Sequence, residues 1–291
     1  MSEQIDQLKG IIGSAKNIVF FGGAGVSTES GIPDFRSETG LYQARSEYGR
    51  PPEYLLSYTC FKRDPELFFE YTRKNLIKAD VLPNPAHYAL TELEQRGVLK
   101  AIVTQNVDGL HQKAGSRVVH ELHGSMDRQY CVDCGATYDL AYVLDESHNQ
   151  KPDAGLQPSA GLKPSAGLQS SAELQPSARF QPSAGLQPSA IPRCEACGGI
   201  VRPDVVLYEE ALDRTVMNAA AAAIKTADTL IVGGTSLVVY PAASFVDLFR
   251  GRNLVIINRD ETDRDQRAAL VIRQSIGEVL SQAVFGADAR L

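Results

Sequence analysis

The chain has 291 residues, of which 43% are hydrophobic, and a formal net charge of −6. This is enough for one large core and a smaller satellite module. The acidic balance argues against nucleic acid as the main partner, and no apolar run reaches the length of about eighteen residues that a membrane span needs. Residues 1–16 are polar and amphipathic, unlike a signal peptide. We therefore expect a soluble cytoplasmic protein with no nucleic-acid partner and no membrane association.

Apolar runs alternate with helical patterns along most of the chain. The predicted strands are Ile18–Phe21, Ala101–Thr104, Thr229–Val232, Leu254–Asn258 and Leu270–Ile272. The predicted helices include Pro65–Ile77, Asn84–Arg96, Leu212–Thr226, Pro241–Arg250 and Gly277–Ala283. This alternation is typical of an α/β fold with a doubly wound parallel sheet, in which ligands bind at the carboxyl ends of the strands.

The loop after the first predicted strand is the most informative stretch: Gly23–Arg36 reads GAGVSTESGIPDFR. Its glycines let the backbone approach a ligand where a Cβ would collide. Ser27 and Thr28 are typical caps for a following helix, whose N-terminal amides would suit a pyrophosphate. A generic dinucleotide motif has glycine where Thr28 stands, so the glycines alone are a weak indication. At the end of this stretch, Asp34, Phe35 and Arg36 add a carboxylate, an aromatic ring and a guanidinium to the same loop.

Further polar segments follow the later predicted strands. They are Thr104–His111 (TQNVDGLH), Glu121–Ser125 (ELHGS), Gly233–Leu237 (GGTSL) and Ile256–Asp260 (IINRD). In this order and spacing the set resembles the sirtuins, the NAD-dependent protein-lysine deacylases, over nearly the whole chain except one insert. The resemblance implies a Rossmann-like NAD-binding domain formed by residues 1–36, 81–123 and 209–291. It also implies a small helical module at 37–80 and a zinc-binding module at 124–208.

The resemblance implies that NAD is bound by residues on all of these loops. The cofactor-binding residues are Gly23, Ala24, Gly25, Thr28, Asp34, Phe35, Arg36, Gln105, Asn106, Val107, Asp108, His123, Gly234, Thr235, Ser236, Asn258, Arg259, Asp260 and Ile276. Phe35 would guard the nicotinamide pocket, and Arg36 would help to fix the loop and the phosphate. Residues 105–108 would recognise the ribose and the carboxamide, although Asn-Val-Asp-Gly is also a turn-forming sequence.

His123 lies between the nucleotide motifs and the cysteine pairs, where the family keeps its catalytic histidine. An imidazole with a pKa of about 6.5 can accept a proton at neutral pH. The resemblance therefore implies His123 as the general base, with Asn106 as a second catalytic residue; the alternative for His123 is a structural role. The other four histidines are interpreted as structural, the last of them in solvent: His87, His111, His120 and His148.

Four cysteines form two Cys-x-x-Cys pairs: Cys131 with Cys134, and Cys194 with Cys197. Zinc favours four thiolates in a closed tetrahedron, so we expect one structural zinc; a redox dithiol is the alternative. The pairs are 59 residues apart, residues 135–193, against a usual spacing of about 15–20. Because loop closure entropy grows only logarithmically, the extra length costs about 1 kcal/mol. Cys60 is expected to be a buried structural thiol.

Residues 154–189 form an insert between the cysteine pairs, built from six copies of Ala-Gly-Leu-Gln-Pro-Ser with variations. A left-handed β-helix also uses hexapeptides, but six copies would give only two coils, too few to bury a core. Five of the six copies contain proline, which cannot donate a backbone hydrogen bond. We predict a disordered, partly polyproline-like insert with no chemistry of its own.

Residues 199–208 resemble the peptide-binding strand of the family. The resemblance implies that Val205, Val206 and Tyr208 contact an acyl-lysine protein substrate bound as an extended strand. The alternative is an ordinary strand that connects the modules. A Gly-Glu step common in the family is Glu209-Glu210 here, which puts the local loop geometry in question.

The function implied by the resemblance is NAD-dependent deacetylation or deacylation of protein lysines. In this reaction the acyl oxygen attacks the nicotinamide ribose, nicotinamide leaves, His123 deprotonates a ribose hydroxyl, and O-acyl-ADP-ribose is released. The alternatives are protein mono-ADP-ribosyl transfer or NAD hydrolysis on the same fold, and a non-catalytic module that binds NAD or acyl-lysine. Sirtuins that favour acidic acyl groups carry Tyr-x-x-Arg, whereas Tyr71 and Arg73 are two residues apart and cannot share a helical face. We therefore expect acetyl or longer apolar acyl groups.

Overall fold

The computed structural model describes residues 2–33, 45–77, 80–145, 148–150 and 191–286. The strands are, in chain order, β1 (Ile18–Gly22), β2 (Leu99–Thr104), β3 (Val119–Glu121), β4 (Gly124–Cys131), β5 (Thr137–Asp139), β6 (Asn149–Gln150), β7 (Ile191–Pro192), β8 (Val201–Val205), β9 (Thr229–Gly233), β10 (Asn253–Ile257) and β11 (Leu270–Ile272). The α-helices whose bounds lie within the described residues are α1 (Ser2–Ser14), α2 (Pro52–Leu55), α3 (Tyr58–Arg63), α4 (Pro65–Asn75), α5 (Pro85–Gln95), α6 (Leu110–Lys113), α7 (Leu140–Leu144), α8 (Arg214–Thr226) and α9 (Ile276–Phe285). In the described ranges, no helix is long and apolar enough to cross a membrane.

Six parallel strands form the central sheet, in the order β11-β10-β9-β1-β2-β3. The prediction of a doubly wound parallel α/β sheet is therefore confirmed. All six strands fall within residues 1–36, 81–123 and 209–291, the ranges predicted for the NAD-binding domain. The module boundaries themselves stay a prediction.

Strand β1 lies in the middle of this sheet, and all five of its residues are buried. Successive side chains of a strand point to opposite faces of a sheet. Ile18 and Phe20 accordingly pack with the apolar faces of α1, α5 and α9, whereas Val19 and Phe21 pack with α8 and residues 242–249 on the other face. Burial of both faces explains why the sequence of β1 is a continuous apolar run rather than an alternating one.

The segment after β9 departs from the predicted helix at Pro241–Arg250. Residues Ala242–Leu248 form a 3₁₀-helix instead. Ser244 donates both its amide (3.1 Å) and its hydroxyl (2.7 Å) to the carbonyl of Pro241, three residues earlier. This i to i−3 pairing is the hydrogen bond of a 3₁₀-helix, and the serine hydroxyl reinforces it.

Helices α3 and α4 form a separate aromatic core. Phe61, Phe68 and Phe69 pack in edge-to-face pairs, with ring centroids 5.2–6.3 Å apart. Cys60 is fully buried beside them, and burial raises the pKa of its thiol to about 12. The expected burial of Cys60 is confirmed, and a thiol that stays protonated is a poor nucleophile.

This helical module is joined to the chain that follows β8. The amide of Tyr58 donates to the carbonyl of Tyr208, and the amide of Tyr208 donates to the carbonyl of Leu56, both at 3.0 Å. The carboxylate of Glu209 accepts two further bonds from Thr59. We call this contact between residues 56–59 and 208–209 the module seam.

The zinc-binding module contains an antiparallel sheet in the order β5-β4-β8 and a two-stranded ribbon of β6 and β7. The ribbon pairs Asn149 with Pro192 and Gln150 with Ile191. The predicted insert, residues 154–189, lies outside the described residues. The last described residue before this gap, Gln150, and the first one after it, Ile191, are therefore paired neighbours.

Deletion of residues 154–189 should leave the fold of the module intact, because the ribbon already holds the two ends together. The segment between the cysteine pairs falls from 59 to 23 residues, which lowers the closure cost by about 0.8 kcal/mol. We expect one bound zinc per chain, by elemental analysis, and an unchanged or slightly higher melting temperature. A matched deletion that also removes β6 and β7 should lower the melting temperature. Loss of zinc from the shorter deletion would contradict a passive insert.

Candidate active site

The loops that follow four sheet strands meet at one edge of the sheet. Gly22 pairs in register with Thr104 on one side and with Gly233 on the other, and Gly233 pairs with Ile257. The segments that begin at residues 23, 105, 234 and 258 therefore lie side by side. They border a cavity of about 610 Å³, within the range of about 300–1,000 Å³ typical of small-molecule sites.

Two of these loops touch backbone to backbone. The amide of Gly25 donates to the carbonyl of Gly234 at 2.8 Å. A Cβ on Gly25 would lie 2.7 Å from the Cα of Gly234, closer than real contacts allow, and Gly234 itself has a φ of +59°. Glycine is therefore required at both positions, because a side chain would push the loops apart.

The expected helix after these glycines is not formed, and that prediction was wrong. Residues Ala24–Val26 and Thr28–Ser30 make two short 3₁₀ turns, and Gly31 ends the second in the left-handed region with a φ of +86°. Neither Ser27 nor Thr28 caps a helix. A ligand's phosphates would accordingly meet loop amides rather than the N-terminus of a long helix.

Ser27 has a different role, which connects this loop to the one after β2. Its hydroxyl donates to the carboxylate of Asp108 at 2.7 Å and accepts a bond from the side-chain amide of Asn106 at 3.0 Å. The amide of Leu110 donates to the second oxygen of Asp108 at 3.0 Å. Burial raises the pKa of the Asp108 carboxyl, and the bonds from Ser27 and Leu110 partly oppose that shift. The carboxylate is thus fixed in position and only partly solvated.

His123 borders the cavity from the segment between β3 and β4. Its Nδ1 lies 2.9 Å from the carbonyl oxygen of Gln105. Because a carbonyl can only accept, Nδ1 carries the proton in the neutral ring and Nε2 keeps the lone pair. Gln105 is held in turn by a bond of 3.1 Å from its Nε2 to the hydroxyl of Thr235. This arrangement fixes the tautomer that a general base acting through Nε2 needs.

The structure brings nearly all the predicted ligand-binding residues to this one cavity. Those on its wall are Gly23, Ala24, Gly25, Thr28, Gln105, Asn106, Val107, Asp108, His123, Val205, Val206, Tyr208, Gly234, Thr235, Ser236, Asn258, Arg259, Asp260 and Ile276. Asp34, Phe35 and Arg36 lie outside the described residues. Their roles stay a prediction.

The wall also includes residues that the sequence did not indicate. Besides Ser27, these are Glu29, Ile32, Pro33, Leu56, Asn75, Leu76, Leu207, Glu209, Glu210, Leu212, Val239, Tyr240, Pro241, Ile257 and Gln274. Some, such as Glu29, Ile32 and Pro33, lie inside a stretch that the sequence did single out, but no role was predicted for them. The unusual exposure of Tyr240, 65%, is apparent only from the structure.

The other histidines lie away from the cavity wall. His87 and His111 are buried side by side, with ring centroids 4.8 Å apart, and burial lowers the pKa of His87 to about 4. The structural interpretation of these two fits their position. The expectation of a solvated His148 was wrong: its ring stacks on Tyr142 at 3.9 Å, and its Nε2 lies 3.0 Å from a carboxylate oxygen of Glu195.

The four paired cysteines converge in the zinc-binding module. Their sulfur atoms all lie within 4.8 Å of one another, with Cys131 to Cys197 at 3.5 Å and Cys134 to Cys194 at 3.6 Å. A tetrahedral zinc with Zn–S bonds of about 2.3 Å requires sulfurs about 3.8 Å apart. The cluster therefore fits a closed four-thiolate zinc site, which leaves no position for a substrate.

The comparison with known proteins decides the family. The sequence profile of the Sir2 family matches residues 23–241. An NAD-dependent protein deacetylase of Clostridium acetobutylicum is 48% identical over 282 residues, covering 97% of this chain and 98% of the relative. Another, of Clostridium perfringens, is 48% identical over 285 residues and covers 98% and 100%. The chain belongs to the Sir2 family.

Solved Sir2 structures share the whole architecture. A structure that addresses the mechanism and regulation of Sir2 enzymes has a TM-score of 0.76 at 36% identity, with 98% of each chain covered. A complex of a Sir2 homologue with NAD has a TM-score of 0.73 at 34% identity, covering 96% of this chain and 92% of that one. A Sir2 complex with a p53 peptide and NAD⁺ has a TM-score of 0.73 at 28% identity, covering 96% of both.

The strand order β10-β9-β1-β2 arranges the wall residues of this Sir2 protein from one side of the cavity to the other. At one end Asn258 is buried, with its side-chain amide bonded to the carbonyl of Asp260 at 2.9 Å, beside the buried Ile276. At the other end lie His123 and the braced loop 105–108. Between them lies the backbone contact of Gly25 with Gly234, and both glycines border the cavity.

One residue of the zinc-binding module supports a cysteine ligand directly. The hydroxyl of Tyr138 lies 3.0 Å from the sulfur of Cys194, and this bond lowers the pKa of the Cys194 thiol to about 6. The ring of Tyr138 stacks on Tyr142, with centroids 4.0 Å apart. The stack therefore holds the hydroxyl against the thiolate form that zinc binds.

Tyr138→Phe should weaken zinc retention, because it removes this hydroxyl while keeping the stacked ring. Hydrogen-bond partners of metal ligands typically contribute about 10- to 100-fold in metal affinity. We expect zinc to be lost to a chromogenic chelator about tenfold faster than from the unaltered protein. Tyr88→Phe, an exposed tyrosine on α5, is the control. Equal loss rates for the two variants would show that the Tyr138 hydroxyl contributes nothing to zinc retention.

Proposed function

We propose that this Sir2 protein is an NAD-dependent protein-lysine deacetylase that releases nicotinamide and O-acetyl-ADP-ribose. The observation that carries the proposal is the position of His123: its Nδ1 is bonded to the carbonyl of Gln105, and the residue borders the cavity together with Asn106 and Asp108. The curated Clostridium relatives, 48% identical over nearly the whole chain, are named for the same activity.

NAD would occupy the cavity with its adenosine at Asn258–Asp260 and Ile276 and its nicotinamide ribose at loop 105–108. When bound, NAD supplies the ribose carbon that accepts the acyl oxygen. Asp108, fixed by Ser27, accepts hydrogen bonds from a polar ligand group. His123 holds one proton at Nδ1 and takes another at Nε2 from a hydroxyl of the bound substrates, and a positioned base of this kind contributes about 10²- to 10⁴-fold in rate.

The remaining predicted cofactor contacts keep their proposed roles. Phe35 and Arg36 would cover the nicotinamide end and hold the phosphate, and Asp34 would belong to the same contact. Residues of the helical module, Asn75 and Leu76, border the cavity and would help to exclude water. Exclusion of water strengthens the polar contacts around the reacting atoms.

The acyl-lysine substrate would bind as an extended strand along residues 205–208. Strand β8 is an edge strand, and the carbonyl of Val206 accepts no hydrogen bond from the described part of the chain. The backbone of Tyr208 is already bonded at the module seam, so only its side chain, 40% exposed, is available to a peptide. Main-chain pairing of this kind tolerates many substrate sequences.

Zinc would have a structural role in this enzyme. Cys131 ends β4, which pairs with β8 just before the proposed peptide strand. The metal would therefore fix the position of that strand rather than act on the substrate. We place the enzyme in the cytoplasm, because four zinc-binding thiolates require a reducing compartment.

His123→Ala should lower the deacetylation rate about 100-fold or more, because it removes the positioned general base. NAD binding, measured by calorimetry, should persist, since the loops after the strands remain. The measurement is mass spectrometry of an acetyl-lysine peptide incubated with NAD. His120→Ala, in β3 and away from the cavity wall, is the matched control.

The products separate this proposal from its alternatives. Deacetylation yields O-acetyl-ADP-ribose, whereas NAD hydrolysis yields free ADP-ribose and ADP-ribosyl transfer yields a modified protein. Near-normal deacetylation by His123→Ala would refute the assigned base. Free ADP-ribose as the main product of the unaltered enzyme would refute the proposed reaction.

Acetyl-lysine should be a better substrate than succinyl-lysine. Tyr71 is buried against Tyr48, with ring centroids 5.3 Å apart, and Arg73 lies over the ring of Phe69 at 5.9 Å. Neither residue borders the cavity. A succinyl carboxylate would therefore lose solvation without gaining these two partners. We expect kcat/KM to favour acetyl by about tenfold or more, measured with two peptides that differ only in the acyl group; a faster succinyl reaction would contradict this expectation.

A further inference from the structure

Two adjacent glutamates border the cavity just after the proposed peptide strand, and they differ in their surroundings. Glu210 forms a double hydrogen bond with the buried guanidinium of Arg202, at 2.8 and 2.9 Å, and also accepts from the amide of Leu207 at 2.9 Å. These contacts lower the pKa of Glu210 against the effect of burial. The charge of Glu210 is therefore neutralised within the protein.

The negative charge of Glu209, by contrast, is not neutralised by a basic side chain of the described residues. This residue is exposed, and no lysine, arginine or histidine of the described chain lies within 4.0 Å of its carboxylate. One oxygen, Oε2, accepts from the amide of Thr59 at 2.9 Å and from its hydroxyl at 2.7 Å. The structure shows no donor to the other oxygen, Oε1, from the described residues. The carboxylate is thus anchored through one oxygen, while the other is available at the cavity wall.

The backbone at Glu209 supports the same interpretation. Its φ is +78°, a left-handed conformation that glycine adopts readily and glutamate does not. A side chain retained at such a position against its own preference indicates a compensating interaction or a functional constraint. The two hydrogen bonds from Thr59 offset part of this conformational cost, but both go to the same carboxylate oxygen, Oε2.

We infer that Glu209 is a specificity-determining residue that selects acetyl-lysine substrates with an arginine or lysine close to the acetyl-lysine. This inference rests on the proposed deacetylase function. A peptide alongside residues 205–208 passes next to Glu209. Because the bonds from Thr59 already hold the carboxylate in place, pairing with a cationic side chain costs little further side-chain entropy on the side of the enzyme. Glu210 does not compete for the cation, because Arg202 already occupies its carboxylate.

The test compares acetyl-lysine peptides that are identical except for one arginine, placed in turn at each of three positions before and after the acetyl-lysine, or replaced by glutamine. For the unaltered enzyme, kcat/KM should be about three- to fivefold higher for arginine than for glutamine at one or two positions, the scale of an exposed ion pair. The preference should shrink at high salt. In Glu209→Gln the ratio should fall to about one.

Two further variants separate charge recognition from backbone effects. Glu209→Gly removes the carboxylate together with its two bonds from Thr59 but suits the positive φ, so it should lose the preference without introducing backbone strain. Glu53→Gln, an exposed glutamate on α2, should keep the full preference. Calorimetric titration of the same peptides gives the comparison independently of turnover.

The outcomes distinguish the two claims. Equal use of arginine and glutamine peptides by the unaltered enzyme, or an unchanged preference in both Glu209 variants, would overturn the inference and leave the deacetylase proposal standing. Failure to deacetylate any peptide would overturn the deacetylase proposal, and the binding measurements would then decide whether Glu209 recognises a cation.

Discussion

The direct contact between the backbones of Gly25 and Gly234 is the constraint on which the site depends. It brings the loops after β1 and β9 closer together than any side chain would allow. The parallel register of β1, β2, β9 and β10 then determines which further residues can join them. Because the strands end level with one another, polar residues more than 200 positions apart in sequence reach a single cavity.

The same closeness explains how the chain holds a carboxylate, an amide and an imidazole in fixed orientations. Ser27 lies on the loop after β1 and connects Asn106 to Asp108 on the loop after β2. Gln105 connects His123 to Thr235 through its carbonyl and its side chain. Each polar group is oriented by a neighbour from another strand end, so the site is organised before a ligand arrives.

Local patterns predicted most of the sheet and the cysteine cluster, because these depend on short-range signals. The buried run Ile18–Phe21 and the two Cys-x-x-Cys pairs needed no knowledge of the tertiary structure. The role of Ser27 was not predictable in this way: its partner Asp108 is 81 residues away, and serine before a possible helix resembles a cap. His148 was misinterpreted for the same reason, since its stacking on Tyr142 depends on the fold of the whole module. The positive φ of Glu209 was likewise not predictable, because glutamate rarely adopts this conformation by its own preference.

The ribbon of β6 and β7 has a consequence for how this chain tolerates change. Paired strands lie about 4.8 Å apart, so the pairing of Gln150 with Ile191 brings two points of the chain that are 41 positions apart in sequence next to each other. Because the two ends are held side by side, an engineer could replace the segment between them with a reporter domain whose own termini are close together.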